Sequence, residues 1–152
     1  MPVLRPARPA DEPFLLQLTG RLARFPVPAW RTPEQIQAAD HKILREALHS
    51  PTPEVSILIV EEDGQPAGFV FSTTRKDYFT GAPHAHVEVL AVADGAEGRG
   101  LAGVLMAAAE DWARGRGYSH VTLNVFAANS RARGLYERLG YRPETLHYLK
   151  PL

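Results

Sequence analysis

The spacing of hydrophobic positions changes period several times along the chain, and each change marks an element. Val3 and Leu4 before Arg5-Pro6 predict a short edge strand that proline ends. Phe14, Leu15, Leu18 and Leu22 recur at helical spacing after Ala10-Asp11-Glu12-Pro13. The acidic residues and the proline suit a first helical turn, so a helix is expected to run to near Phe25. Two prolines two apart make Phe25-Pro26-Val27-Pro28-Ala29-Trp30 a loop carrying two aromatics. Thr32-Pro33-Glu34-Gln35 then opens a second helix, with Thr as cap and Gln three residues on. Ile36, Ala39, Ile43, Leu44, Ala47 and Leu48 give its buried stripe.

Pro51-Thr52-Pro53 ends that helix. Residues 55–60 and 67–73 read as strands joined by a hairpin at Glu62-Asp63-Gly64-Gln65, and residues 75–83 as a polar loop. Val87, Val89, Leu90, Ala91 and Val92 form a short apolar run of a length suited to a buried strand. Asp94-Gly95-Ala96-Glu97-Gly98-Arg99-Gly100 is a turn, after which Leu101, Val104, Leu105, Ala108 and Trp112 repeat at helical spacing. Arg114-Gly115-Arg116-Gly117 ends this helix with basic charge and glycine. Val121, Leu123 and Val125 alternate with polar residues, predicting a strand reached by a right-handed crossover and parallel to its neighbour. Asn129 caps a last helix with Ala132, Leu135 and Leu139 on one face and Gly140 at its end. Residues 145–150 read as one final strand. The expected order is β-α-α-β-β-β-α-β-α-β, an α/β domain with a mixed sheet spanning residues 1–152 as one unit.

The strand, glycine turn and helix from Val87 onward make an anion cradle. The first N–H groups of a helix have no intrahelical acceptor, the dipole there favours negative charge, and glycine lets a phosphate approach the backbone. Three ligands compete. Gly95 and Gly100 have the spacing of a phosphate-loop NTPase, but Leu101 and Ala102 stand where Lys and a hydroxyl are needed. Gly98, Gly100 and Gly103 match G-x-G-x-x-G. That pattern wants an acid about 20 positions on to hold a ribose, and the region reads Leu123-Asn124-Val125. The chain after it is also too short for a second half of a doubly wound sheet. A nicotinamide-dependent oxidoreductase is therefore disfavoured.

The third ligand comes from a resemblance. Glu97-Gly98-Arg99-Gly100-Leu101-Ala102 resembles the acyl-CoA-binding motif of the GNAT superfamily of N-acetyltransferases, [QR]-x-x-G-x-[GA], with Glu97 where the family usually has Gln or Arg. Asn129-x-x-Ala132-x-x-Leu135-Tyr136-x-x-Leu139-Gly140-Tyr141 resembles the second family motif, in the right order and at family spacing. The resemblance implies the GNAT fold, a mixed and mostly antiparallel central sheet flanked by about four helices. It also implies acetyl transfer from acetyl-CoA, as cosubstrate, to a primary amine of a small molecule or protein. The phosphates would meet Glu97, Gly98, Arg99, Gly100, Leu101 and Ala102. The pantetheine arm would run along the backbone of Leu90, Ala91 and Val92, with Asn129 also touching it. The first two helices and the loop between them would wall the acceptor site, which makes Trp30 either a substrate contact or an aromatic lid on the core.

Direct acetyl transfer needs a group to accept the ammonium proton and a group to protonate the departing thiolate. Glu88, two residues before Leu90, stands where many family members carry an acid. A carboxylate on an apolar strand is expected to have a raised pKa. Facing solvent or pairing with an arginine is the structural alternative, and His84, His86 or water are alternative bases. His-x-His lacks a third nearby ligand, so no metal is expected. Tyr136 matches the motif tyrosine that commonly protonates the thiolate.

Composition narrows the rest. Seventeen basic and seventeen acidic residues give no net charge, which argues against a nucleic-acid surface. The absence of cysteine rules out a thiol-bound acyl intermediate and fits a reducing, cytoplasmic setting. No apolar run approaches the roughly 18 residues of a membrane span, so no membrane contact is expected. A non-enzymatic acyl-CoA-binding sensor with the same fold remains an alternative. The tail looks short for the family, leaving a sheet edge that a second copy could complete as a homodimer.

Overall fold

The computed structural model describes all 152 residues. Nine regular elements follow one another: β1 (Val3–Pro6), α1 (Glu12–Thr19), α2 (Pro33–His49), β2 (Val55–Glu62), β3 (Gln65–Lys76), β4 (Pro83–Val92), α3 (Leu101–Gly115), β5 (Val121–Leu123) and α4 (Ser130–Arg138). The five strands form one sheet in chain order. β1 to β4 pair antiparallel, and β5 joins β4 in parallel through Ala85–Val121, His86–Thr122 and Val87–Leu123. This is the mixed α/β sheet that the periodicities predict. No helix is long and apolar enough to cross a membrane.

Helices cover both faces. Against α1 and α2, the sheet buries Ile57, Ile59, Phe69, Phe71, Val89 and Ala91 on Leu15, Leu18, Leu44 and Leu48. Against α3, it buries Val60, Val70 and Val87 on Leu101, Leu105 and Met106. Each fully buried side chain of this size stabilises the fold by about 1.5–3 kcal/mol relative to exposure.

β4 changes phase midway. Phe71 pairs with Val89 but Ser72 pairs with Val87, so Glu88 is an extra residue bulged out of the ladder. Alternation alone would put Val87 and Val89 on one face. The bulge sends Val87 to the α3 side and Val89 to the α1/α2 side.

Several expectations are corrected. The first helix stops at Thr19, and a tighter 3-10 turn carries the chain from Gly20 to Ala23. Glycine at that point weakens α-helix propagation. β4 begins at Pro83, four residues earlier than its apolar run, because His84 and His86 are buried members of the strand. β5 ends at Leu123 and does not reach Val125. No strand forms over residues 145–150. Pro143 and Pro151 flank that segment without backbone donors, and the three-residue β5 offers a short ladder to pair with. The β5 edge is therefore open.

Candidate active site

β4 runs on to Val92 while its parallel neighbour stops opposite Val87, so the two strands part beyond Glu88. A cavity of about 300 Å³ occupies the gap. Its walls come from Glu88 and Leu90 on β4, Asn124 and Phe126 after β5, Asn129 and Tyr136 of the α4 segment, and Ile36 and Asp40 of α2. The second motif's Asn129, Ala132 and Tyr136 thus share one opening with Glu88 and Leu90 of β4, while the glycine turn lies beyond its lining. Because β5 ends early, Leu90, Ala91 and Val92 hydrogen-bond only to β3, and their other edge is left unpaired by protein.

The glycine turn has the form of a cradle. Gly98 and Gly100 adopt φ of 78° and 75°, a region closed to most side chains, and an added Cβ at either would meet nothing within 4 Å. Gly100 precedes α3 without any side-chain cap. The N–H groups of Leu101, Ala102 and Gly103 therefore point out of the helix start unclaimed by backbone or capping side chain. Open space, left-handed glycines and free donors at a positive helix end fit a phosphate.

Glu97 is committed elsewhere. Its Oε1 accepts from Arg21 Nη2 at 2.7 Å and lies 3.5 Å from Arg131 Nη2. Arg21 also meets Asp94, so this arginine straps the turn to the 3-10 segment after α1. Arg99 pairs with Glu62 at 2.9 Å. The cradle thus presents backbone rather than the Glu97 side chain, and no local signal marked Arg21 as its support.

On the acceptor side, Glu88 Oε1 accepts hydrogen bonds from Thr73 Oγ1 at 2.8 Å and from Arg75 Nη2 at 2.7 Å and Nε at 3.2 Å. Arg75 and Thr73 lie on β3 beside the bulge, so the sheet supplies the counter-charge. Of the surroundings weighed for Glu88, pairing with an arginine is the one that forms, and the residue still lines the cavity. On the α2 wall of the cavity, burial first and the Glu88 charge second push the Asp40 carboxyl up to about 6.

His84 and His86 both lie on Thr122, with His84 Nε2 at 3.1 Å and His86 Nδ1 at 2.7 Å from Oγ1. Burial, then the Arg75 charge, pushes His86 down to about 4, and burial also lowers His84. His86 reaches the cavity as a neutral ring of low proton affinity. His84 leaves it and stacks on His120, centroids 4.6 Å apart, near Asp77. Asp77, His84 and His120 each bring one potential ligand atom within 4.8 Å of the others, so the third group that His-x-His lacks in sequence comes from Asp77 and His120 rather than from His86.

Tyr136 lines the cavity, and burial raises its pKa, so the phenol is protonated at neutral pH. Asn129 Oδ1 accepts from the Ala132 N–H at 3.3 Å, the capping role expected of it. Trp30 is half exposed and outside the cavity lining. Phe25, packed at a tilt on Phe126 with centroids 5.0 Å apart, is the loop aromatic that lines it.

Asp40 lies off the face of α2 that Ala39 and Ile43 suggest as buried. Ala39 and Ile43 are exposed, and the inward line runs Ile36, Asp40, Leu44, Leu48 at strict four-residue steps. That spacing was readable as an acid on an apolar face.

A sequence profile of the acetyltransferase (GNAT) family matches residues 19–141. No curated protein matches the chain by sequence. Among solved structures, it is similar to an aminoglycoside antibiotic 6'-N-acetyltransferase from Acinetobacter baumannii, with a TM-score of 0.75 and 18% identity over 100% of this chain and 99% of that one. A ribosomal-protein-alanine N-acetyltransferase from Brucella melitensis biovar Abortus 2308 gives 0.73 and 20% over the whole of both chains. An aminoglycoside N-acetyltransferase in complex with CoA gives 0.71 and 19% over 100% and 96%. At these identities the likeness speaks for the fold.

Proposed function

The chain belongs to the acetyltransferase (GNAT) family, and from that premise we propose that it moves an acetyl group from acetyl-CoA to a primary amine by direct attack. The observation that carries the reading is the joining of two features along β4. The strand leaves the carboxylate-lined cavity at Glu88 and Leu90 and leads into the open glycine cradle at Gly98 and Gly100.

Acetyl-CoA is the substrate that this arrangement suits. The N–H groups at the start of α3, with Gly98 and Gly100, would hold its phosphates. The unpaired edge of Leu90, Ala91 and Val92 would take the amides of the pantetheine arm, with Asn129 beside it. Tyr136 would donate its proton to the leaving thiolate, as burial keeps the phenol protonated. Glu88, held by Thr73 and Arg75, has an Oε2 that accepts no hydrogen bond from the protein, leaving it to orient an incoming ammonium. With no cysteine in the chain, attack on the thioester proceeds without a thiol-bound acyl enzyme.

We take the whole chain to act as one catalytic domain in the cytoplasm. The open β5 edge, and a tail exposing Leu146, Tyr148 and Leu149, support a homodimer, which light scattering on the purified protein checks. The activity test is release of free thiol from acetyl-CoA against a panel of polyamines, amino acids, aminoglycosides and peptide N-termini, with calorimetric titration of CoA and NADH. CoA binding with amine-dependent thiol release is expected. NADH binding without CoA binding overturns the reading, and CoA binding with no turnover on any amine favours the sensor alternative.

A further inference from the structure

Resting on that acetyl-transfer reading, we infer that Asp40, on the α2 wall of the cavity, takes the proton from the acceptor ammonium while the arginine-paired Glu88 orients it. The two carboxylates face one space but differ in what surrounds them. Glu88 is bound by Thr73 and by both Nε and Nη2 of Arg75, all on the same oxygen. Asp40 takes no hydrogen bond and no ion pair from any protein group. A half-buried carboxylate without a counter-charge is costly, and a substrate ammonium is the cation that would relieve it.

The position follows from helix geometry. Ile36, Asp40 and Leu44 lie on one face of α2; Ile36 and Asp40 line the cavity and Leu44 is buried beneath it. The groups facing Asp40 are few. On β4 stand Glu88, whose charge favours the protonated acid, and His86, which is neutral. On β3, Arg75 is engaged by Glu88. On α2, His41 opposes the rise and is itself tied through Nε2 to the Leu16 carbonyl at 3.0 Å. On the far side Tyr136 is neutral. The sum leaves Asp40 near pH 6, poised to accept and release a proton close to neutrality.

The step balances. The ammonium gives one proton to the Asp40 carboxylate. The freed amine lone pair forms the bond to the thioester carbonyl carbon, and the carbon–sulfur bond breaks with its electron pair on sulfur. Tyr136 supplies the proton that makes the thiol. The acylated nitrogen gives its remaining extra proton to solvent, and solvent carries one proton from Asp40 back to the phenolate, so one proton is released net and the enzyme returns unchanged.

The test is the pH dependence of kcat/KM for Asp40→Asn and Glu88→Gln, on the amine with the highest turnover in the panel above. Wild type should show an acidic limb inflecting near pH 6. Asp40→Asn should lose that limb and fall by roughly 10²–10⁴-fold at neutral pH, with acetyl-CoA affinity by calorimetry unchanged. Glu88→Gln should lower the rate yet keep the limb. If Asp40→Asn does not fold, Asp40→Glu should retain a limb at a shifted pH, and its absence overturns the inference. An Asp40→Asn enzyme within about twofold of wild type, or loss of the limb in Glu88→Gln alone, also overturns it while leaving acetyl transfer intact. No turnover of any amine by wild type sinks both together.

Discussion

Replacing Tyr136 by Phe removes one oxygen from the cavity wall and leaves the packing alone, and Tyr141 provides a matched control. The two rings touch edge to face, centroids 6.1 Å apart. The Tyr136 hydroxyl makes no hydrogen bond to protein, so its loss should change stability by less than about 0.5 kcal/mol. The Tyr141 hydroxyl donates to Glu110 Oε2 at 2.9 Å, a bond to a charged acceptor. Such bonds contribute about 1.5–3 kcal/mol, nearer the lower figure here because Glu110 is partly exposed. Tyr141→Phe should therefore lower Tm by roughly 3–6 °C at this chain length. Kinetics should reverse the order. Tyr136→Phe should lose at least about tenfold in kcat with little change in the KM for acetyl-CoA, because the bond is made in the transition state. Tyr141→Phe should keep its rate. Urea unfolding and the free-thiol assay measure both sides. A Tyr136→Phe protein that loses stability and keeps its rate refutes the reasoning and makes Tyr136 a core residue.

Gly100→Val places a β-branched side chain at φ 75° in the cradle, and CoA affinity by calorimetry should fall at least about tenfold. Gly81→Val, at φ 73° in the loop before β4 and equally open, should show similar strain but keep that affinity. Gly68→Ala would set a Cβ 2.8 Å from the Ala91 carbonyl oxygen and 3.2 Å from Leu105 Cδ1, and should cost about 1–3 kcal/mol in urea unfolding. His86 is lowered to about 4 in the fold, so the unfolded chain binds more protons between about pH 6.5 and 4. Stability from this group is lost as pH falls through that window. Asp40, raised to about 6, acts oppositely: its contribution is present at low pH and lost as pH rises through 6. Unfolding of His86→Gln should accordingly be flatter below pH 6.5 than wild type, and a steeper dependence would contradict the assignment.

Local chemistry was the legible part of the chain. Thr32 and Gln35 form the reciprocal cap that their spacing predicts, Asn129 caps α4, and Gly117 and Gly140 turn left-handed where the helices end. The parallel placing of β5 also followed from the helix that separates it from β4. What escaped depends on a second strand or helix. The Glu88 bulge exists only in register with β3, and Arg75 becomes its counter-charge only through that pairing. Arg21 and Glu97 lie 76 positions apart, a separation at which no window of sequence connects them. The missing strand at residues 145–150 had the right composition but too short a ladder to join.

The bulge also sets where this chain can lose a residue. Residues 89–92 are anchored by Val89 and Ala91 packed under α1 and α2. Deleting Glu88 would take out the extra residue and restore strict alternation, with Val87 next to Val89 and each still on its own face. Val87 would stay in the α3 core and the His84 and His86 rings would stay on Thr122, and what is lost is the carboxylate held by Thr73 and Arg75. A deletion in the loop at residues 77–82 shortens a connection and leaves both halves facing as they do. Single-residue deletions across residues 77–92 should thus be tolerated for folding in the loop and at Glu88, and be disruptive at Val89, whose loss would set the Glu88 carboxylate in its place in the α1/α2 core. Position 88 is a residue the sheet carries for the cavity it lines, dispensable to the packing behind it.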